Sequence, residues 1–153
     1  MSRDVWIEVV IAGQLNQQVV ENILQCGARY GCVYFDPKDD GELDISRSSI
    51  SSTNAAQYIM EALYARLIDP QDIESMPAIH FQCEEAVSTL IFGSWRNGSG
   101  TKIVLNAWID RWLKGNPHDN MIDWARYIQL VLALCQDFPI LMLKTDDSYF
   151  ESQ

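Results

Sequence analysis

The segment Val87–Ala107, VSTLIFGSWRNGSGTKIVLNA, decides the fold class. Two runs rich in β-branched and aromatic residues flank Asn97-Gly98-Ser99-Gly100, and a four-residue connection that contains Asn-Gly is typical of a β-hairpin. We therefore predict two antiparallel strands, at about Val87–Arg96 and Thr101–Ala107. This predicted hairpin makes an antiparallel sheet the framework for the rest of the chain.

The first part of the chain predicts a strand followed by a helix. Val5–Ala12 is a nearly continuous apolar run, which favours a central strand that ends at Gly13. Asn16 is a suitable N-cap for the helix that follows, and Gly27 or Gly31 is expected to end that helix.

An acidic turn separates the next two predicted strands. Cys32–Phe35 and Glu42–Ser46 are expected to pair as a hairpin around the turn residues Asp36–Gly41. Residues 47–52 read as a polar connector, and Thr53 as the N-cap of a second helix. An alternating strand follows Pro77. Its apolar face carries Ile79, Phe81 and Cys83, and its polar face carries His80, Gln82 and Glu84.

The segment after the Asn-Gly hairpin predicts two helices and a last strand. The helices are expected at Trp108–Lys114 and Asn120–Gln136, with Cys135 on the apolar face of the second. A strand at Ile140–Leu143 and a flexible tail over residues 146–153 complete the chain.

These elements indicate one α+β domain over residues 1–153. The first 84 residues follow the order β-α-β-β-α-β, which is that of a ferredoxin-like sandwich. We expect about three helices to cover one face of a mainly antiparallel sheet.

Composition and cysteine usage narrow the class of protein. Of the 153 residues 48% are hydrophobic, which excludes a disordered tail and a disulfide-stapled miniprotein. The longest apolar stretch, Ile128–Cys135, is far shorter than the about 20 residues that a membrane-spanning helix needs. The first residues do not resemble a signal peptide, so we expect a cytoplasmic protein whose four cysteines stay reduced.

The net charge of −10 is concentrated in the middle of the chain. Residues 31–84 contain ten acidic and three basic side chains, a net charge of −7. Such a surface repels nucleic-acid phosphates and anionic lipid, and it attracts a cationic partner.

The sequence contains no convincing metal site, and we expect no cofactor. The acidic turn resembles a calcium loop, but Lys38 and Arg47 stand where ligands are needed. His80 and Cys83 have a zinc-like spacing, yet residues three apart on a strand point to opposite faces.

No catalytic constellation is apparent either, so we predict that the protein is not an enzyme. Ser94 lies in a hairpin strand and lacks a nucleophile-elbow motif, and His118 precedes a helix in a loop context. No glycine-rich loop connects a strand to a helix in a way that would bind phosphate.

Two groups of side chains are the predicted partner-binding residues. The first is the set of acids in the hairpin turn: Asp36, Asp39, Asp40, Glu42 and Asp44. The second is an aromatic patch with an arginine, the combination that protein interfaces favour: Trp108, Arg111 and Trp112.

The leading functional hypothesis is a small inhibitor that covers a basic surface of another protein. Bacterial immunity proteins, which neutralise a cognate toxin such as a nuclease, are a class with this profile. One alternative is an anti-defence inhibitor that mimics DNA. Another is an enzyme or small-ligand-binding domain in which the open sheet face uses His80, Glu84 and tryptophans. A homodimer is compatible with the first hypothesis.

Overall fold

Within the described residues, one antiparallel sheet of eight strands organises the fold. The computed structural model describes residues 3–37, 48–66, 78–83, 86–109, 130–131, 133–145 and 149–151. The strands are β1 (Arg3–Ala12), β2 (Cys32–Phe35), β3 (Ser49–Ile50), β4 (Ala78–Cys83), β5 (Ala86–Trp95), β6 (Gly100–Ile109), β7 (Ile140–Thr145) and β8 (Tyr149–Glu151). The helices are α1 (Gln17–Arg29) and α2 (Ser52–Arg66). A third helix, α3, is described at residues 130–131 and 133–137.

The strand order across the sheet is β3-β2-β4-β5-β6-β1-β7-β8, and every neighbouring pair is antiparallel. The α+β class and the central position of β1 are therefore confirmed. The ferredoxin-like arrangement is not confirmed, although β1 to β4 and the two helices follow the expected order along the chain. In that arrangement β1 would lie beside the other early strands, whereas here β6 and β7 flank it.

The hydrophobic core lies between one face of the sheet and the helices. Alternate residues of β1 point into it, and Ile7, Val9 and Ile11 are each at most 6% exposed. Phe81 of β4 and Phe92 of β5 are fully buried in the same core. The core includes residues from α1, α2 and the described part of α3, so the helices share one face of the sheet.

The β5–β6 hairpin and the start of α1 are confirmed. Residues 96–99 form the turn, where Asn97 and Gly98 adopt positive φ angles. The Asn16 side chain accepts a hydrogen bond from the Val19 N–H at 2.9 Å and caps α1. Gly31, with a φ angle of +92°, follows the end of this helix.

Several local predictions were wrong. Residues 49–50, expected in a connector, form β3 opposite β2. The cap of α2 is Ser51, whose Oγ accepts from the Asn54 N–H at 3.1 Å, and Thr53 instead donates to Glu21.

The end of the described chain also departs from expectation. Cys135 is exposed, whereas Leu134 is buried. The expected flexible tail over 146–153 contains Tyr149–Glu151, which pairs with β7 as an eighth strand. Two predicted segments lie outside the described residues: Glu42–Ser46, and residues 110–129, which include Trp112.

Candidate functional site

A cleft with a volume of about 290 Å³ opens between the β2–β3 end of the sheet and α2. From the sheet side it is lined by Asp36, Pro37 and Ile50. From α2 it is lined by Asn54, Gln57, Tyr58 and Glu61. We call this the acidic cleft, because both charged side chains among its described lining residues, Asp36 and Glu61, are carboxylates.

Short local connections hold the two walls of the acidic cleft together. The Asp36 N–H donates to the Ser48 carbonyl at 2.8 Å, which extends the pairing of β2 with β3. Ser51 follows β3 directly and caps α2, so the first turns of the helix begin beside Ile50. Residues spaced three and four apart along α2 then share the face that lines the cleft.

The chemistry of the acidic cleft suits a cation that carries an apolar stem. Pro37 and Ile50 supply half-buried apolar surface, and Tyr58 supplies an aromatic ring. Gln57 Nε2 donates to Glu61 Oε1 at 3.1 Å, which restrains the Glu61 carboxylate on the exposed face of the helix. A long cationic side chain can bind a surface of this kind with its apolar methylene stem and with its charged head group.

One of the five predicted hairpin acids can be placed. Asp36 lies in the acidic cleft, whereas the remaining four predicted acids, Asp39, Asp40, Glu42 and Asp44, fall outside the described residues. Glu61 and Tyr58 were not among the residues predicted from the sequence. The sequence pattern that could have identified them is a polar stripe on the predicted second helix, but the sequence did not reveal that this stripe faces Asp36.

The predicted aromatic patch is not supported as a helix face. Trp108 belongs to β6, where it lies opposite Asp4, because the strand continues through Ile109. Arg111 and Trp112 lie outside the described residues. Trp108 therefore cannot share a helix face with Trp112 as the spacing of four suggested.

The sheet face opposite the helices carries a row of polar and aromatic residues across four strands. The register places His80 of β4 opposite Thr89 of β5, Thr89 opposite Asn106 of β6, and Asn106 opposite Trp6 of β1. We call these four residues the polar row. Thr89 Oγ1 and His80 Nδ1 lie 3.0 Å apart, within hydrogen-bonding distance. Glu84, the acid expected here, lies outside the described residues.

The centre of this second face is buried, contrary to the expectation of an open face. Val10, Val104 and Met142 are each at most 4% exposed. Glu8 is only 7% exposed, and its Oε1 lies 3.3 Å from Lys102 Nζ. The two charges form an ion pair with little access to water, which makes each dependent on the other.

Among the described residues, no three His, Cys, Asp or Glu side chains form a group that could hold a metal ion. The Cys26 thiol is fully buried and donates to Asp137 Oδ2 at 3.3 Å. Burial and the adjacent Asp137 carboxylate raise the pKa of Cys26 from 9.0 to about 11. With so high a pKa, little of the reactive thiolate forms near neutral pH, so Cys26 is poorly suited to nucleophilic chemistry.

In the part of the chain that the structure describes, there is no helix that is both long enough and apolar enough to cross a membrane. No protein-family model, curated protein or solved structure matches the chain.

Proposed function

We propose that this protein is an acidic inhibitor that binds a basic surface of another protein, most simply as an immunity protein that neutralises a toxic enzyme such as a nuclease. The acidic cleft carries the proposal. It brings Asp36 and Glu61 together within residues 31–84, the segment that holds a net charge of −7.

The fold suits inhibition by occlusion. A continuous eight-stranded sheet with helices packed on one face is a rigid support for side chains at its β2–β3 end. Inhibition by occlusion requires only such a support and complementary charge, with no catalytic group. The concentrated negative charge would also accelerate association with a basic partner, because long-range attraction steers the encounter.

The test measures binding to the polypeptide encoded by the neighbouring gene, by calorimetry and stopped-flow fluorescence. We expect that D36N/E61Q, which removes two negative charges, slows association about 3–10-fold at low salt and that the difference shrinks at high salt. The matched control is Q18K/A28K, which changes the net charge equally at two exposed positions of α1. It should slow association less.

Three results would argue against the proposal. The first is the absence of binding to that polypeptide at low salt, and the second is equal slowing by both double variants. The third is competition by duplex DNA for the same site on the partner, which would favour the DNA-mimic alternative.

The polar row supports a second candidate function, the binding of a small polar ligand. His80, Thr89 and Asn106 are half-buried beside the closed centre of this face and carry hydrogen-bonding groups on adjacent strands, and the half-buried Trp6 ends the row with an aromatic ring. This combination is common in small-molecule sites, where a few polar groups fix a ligand against apolar surface.

Thermal-shift measurements against metals, nucleotides and sugars test this candidate. A ligand of the polar row should raise the melting temperature of the wild-type protein and leave that of N106A unchanged. If no compound stabilises the wild-type protein, the small-ligand function is rejected, whereas the inhibitor function is unaffected.

A further inference from the structure

We infer that the acidic cleft receives an arginine side chain of the partner protein. This inference deepens the proposed function, since it names the group that the acidic surface recognises. It rests on the shape of the cleft, on the mixture of side chains that line it and on the exposed face of α2 beside it.

The volume of the cleft limits what it can hold. At about 290 Å³ it lies just below the range for ligand pockets, about 300–1,000 Å³. A space of this size accommodates one long side chain better than a nucleotide or a folded peptide loop. Asn54, Gln57 and Glu61 are exposed, so the α2 wall of the cleft is accessible to a side chain from a docked protein surface.

The lining matches both parts of an arginine side chain. The methylene stem can lie on the apolar surface of Pro37 and Ile50, while the guanidinium group reaches the carboxylates of Asp36 and Glu61. The side-chain carbonyl groups of Asn54 and Gln57 add neutral acceptors along the α2 wall.

The Tyr58 ring favours arginine over lysine. A planar guanidinium group can stack on an aromatic face while its N–H groups bind carboxylates in pairs. A lysine ammonium group is a compact, strongly hydrated charge and lacks this planar geometry. Within this protein, Arg96 already lies over the Trp95 ring at 4.2 Å from the ring centroid, which shows the same contact.

The face of α2 beside the cleft has a feature of protein interfaces. Tyr64 is 82% exposed, and it follows Glu61 by three positions on the same side of the helix. Tyrosine and arginine are both enriched among the residues that dominate binding energy at interfaces. An arginine in the cleft would therefore bring the partner surface over Tyr64.

The test is a titration of the ¹⁵N-labelled protein with N-acetyl-arginine methylamide, followed by NMR at constant ionic strength. We expect shifts confined to residues of the cleft, with a dissociation constant in the millimolar range, as suits a single side chain. The lysine analogue should bind at least about threefold more weakly, and the neutral citrulline analogue should not bind.

Variants locate the site. D36N/E61Q should weaken binding of the arginine probe at least about fivefold, whereas Q18K/A28K should leave it unchanged. The ¹⁵N spectra of the variants report whether they keep the fold. Shifts scattered over the molecule, equal binding of the lysine probe, or unchanged binding to D36N/E61Q would each overturn the inference.

The outcomes of this titration and of the partner experiment are separable. Binding of the arginine probe by a protein that has no protein partner would reject the proposed inhibitor and keep the arginine site. If a partner protein binds but the cleft does not bind the arginine probe, the arginine site is rejected and the proposed inhibitor is kept.

Discussion

At the scale of single residues, the side chains that matter most for stability are buried ones that carry a charge or an ionisable hydrogen. Glu8 and Lys102 occupy adjacent strands in the middle of the sheet, with side chains only 10% and 18% exposed. Removal of one charge from such a pair leaves the other without compensation, and this is more harmful than removal of both.

Lys102→Met is expected to destabilise the protein by about 3 kcal/mol, because it leaves the Glu8 carboxylate buried beside an apolar side chain. Glu8→Met in addition should restore most of that loss. Urea denaturation of the two single variants and the double variant measures the coupling. Additive effects of the two substitutions would contradict the account of Glu8 and Lys102 as a dependent pair.

A second prediction concerns Cys26, whose pKa of about 11 lies above the ordinary value of 9.0. Between these values the unfolded chain releases a proton that the folded chain retains, so folding stability falls as the pH rises. We expect this group to contribute a loss of about 1–2 kcal/mol between pH 9 and pH 11.

The measurement compares denaturation of wild-type protein and C26A across that pH range. Other groups that titrate at alkaline pH are present in both proteins, so the difference in slope isolates Cys26. The stability of C26A should decline less steeply than that of the wild type. Parallel curves would show that the Cys26 thiol does not link proton release to unfolding.

At the scale of elements, the packing of α1 against β2 requires a residue without a side chain, glycine, at position 27. The Tyr34 hydroxyl donates to the Leu24 carbonyl at 2.6 Å and is buried. A methyl group at Gly27 would collide with that same hydroxyl oxygen. Glycine at position 27 therefore allows the helix to approach β2 closely, although it weakens the helix itself.

Gly27→Ala should destabilise the wild-type protein by about 1–2 kcal/mol, because the buried tyrosine has to move. In a Tyr34→Phe background the same substitution should be neutral or stabilising by up to about 1 kcal/mol, since alanine favours a helix. Thermal or urea denaturation of this double-mutant cycle gives the coupling. If Gly27→Ala is equally destabilising in both backgrounds, the added methyl group clashes with an atom other than the Tyr34 hydroxyl oxygen, which contradicts the prediction.

Local chemistry explains which elements the sequence predicted. The Asn97-Gly98 turn and the Asn16 cap were recognisable because their conformations need particular residue types. The extension of β6 through Trp108 was not, because the strand is set by pairing with Arg3 and Asp4 at the distant start of the chain. The two-residue strand β3 is likewise too short to produce a pattern.

The candidate site likewise combines a local feature with a long-range one. Asp36 was predicted from the local density of acids, whereas its neighbour Glu61 comes from a helix whose position depends on the β2–β3 pairing. Cross-strand partners and the packing of helices are properties of the whole fold. Of the two charged groups that the structure describes in the cleft, Asp36 was therefore predictable from the sequence and Glu61 was not.

At the scale of the whole molecule, a net charge of −10 acts on stability as well as on binding. Like charges repel in the compact state, and salt screens this repulsion. Asp36 and Glu61 contribute to the repulsion because they line one cleft. A surface specialised for a cationic partner is thus expected to weaken the free protein.

Glu61→Gln should therefore stabilise the free protein at low ionic strength, by about 0.2–0.5 kcal/mol, and the gain should vanish near 1 M salt. Gln57→Glu, which adds a charge to the same helix face, should have the opposite effect. Urea denaturation at several salt concentrations measures both. A salt-independent effect of Glu61→Gln would indicate a packing change and exclude charge repulsion as its cause.

The position of β1 has a consequence for synthesis on the ribosome. Val10 of β1 pairs with Lys102 on one side and with Met142 on the other, so both neighbours of the first strand emerge long after it. Pairings between such distant segments form slowly, since a long loop must close first. The nascent chain would expose β1 until β6 and β7 have both been synthesised, which makes it a natural target for chaperones that bind extended apolar segments.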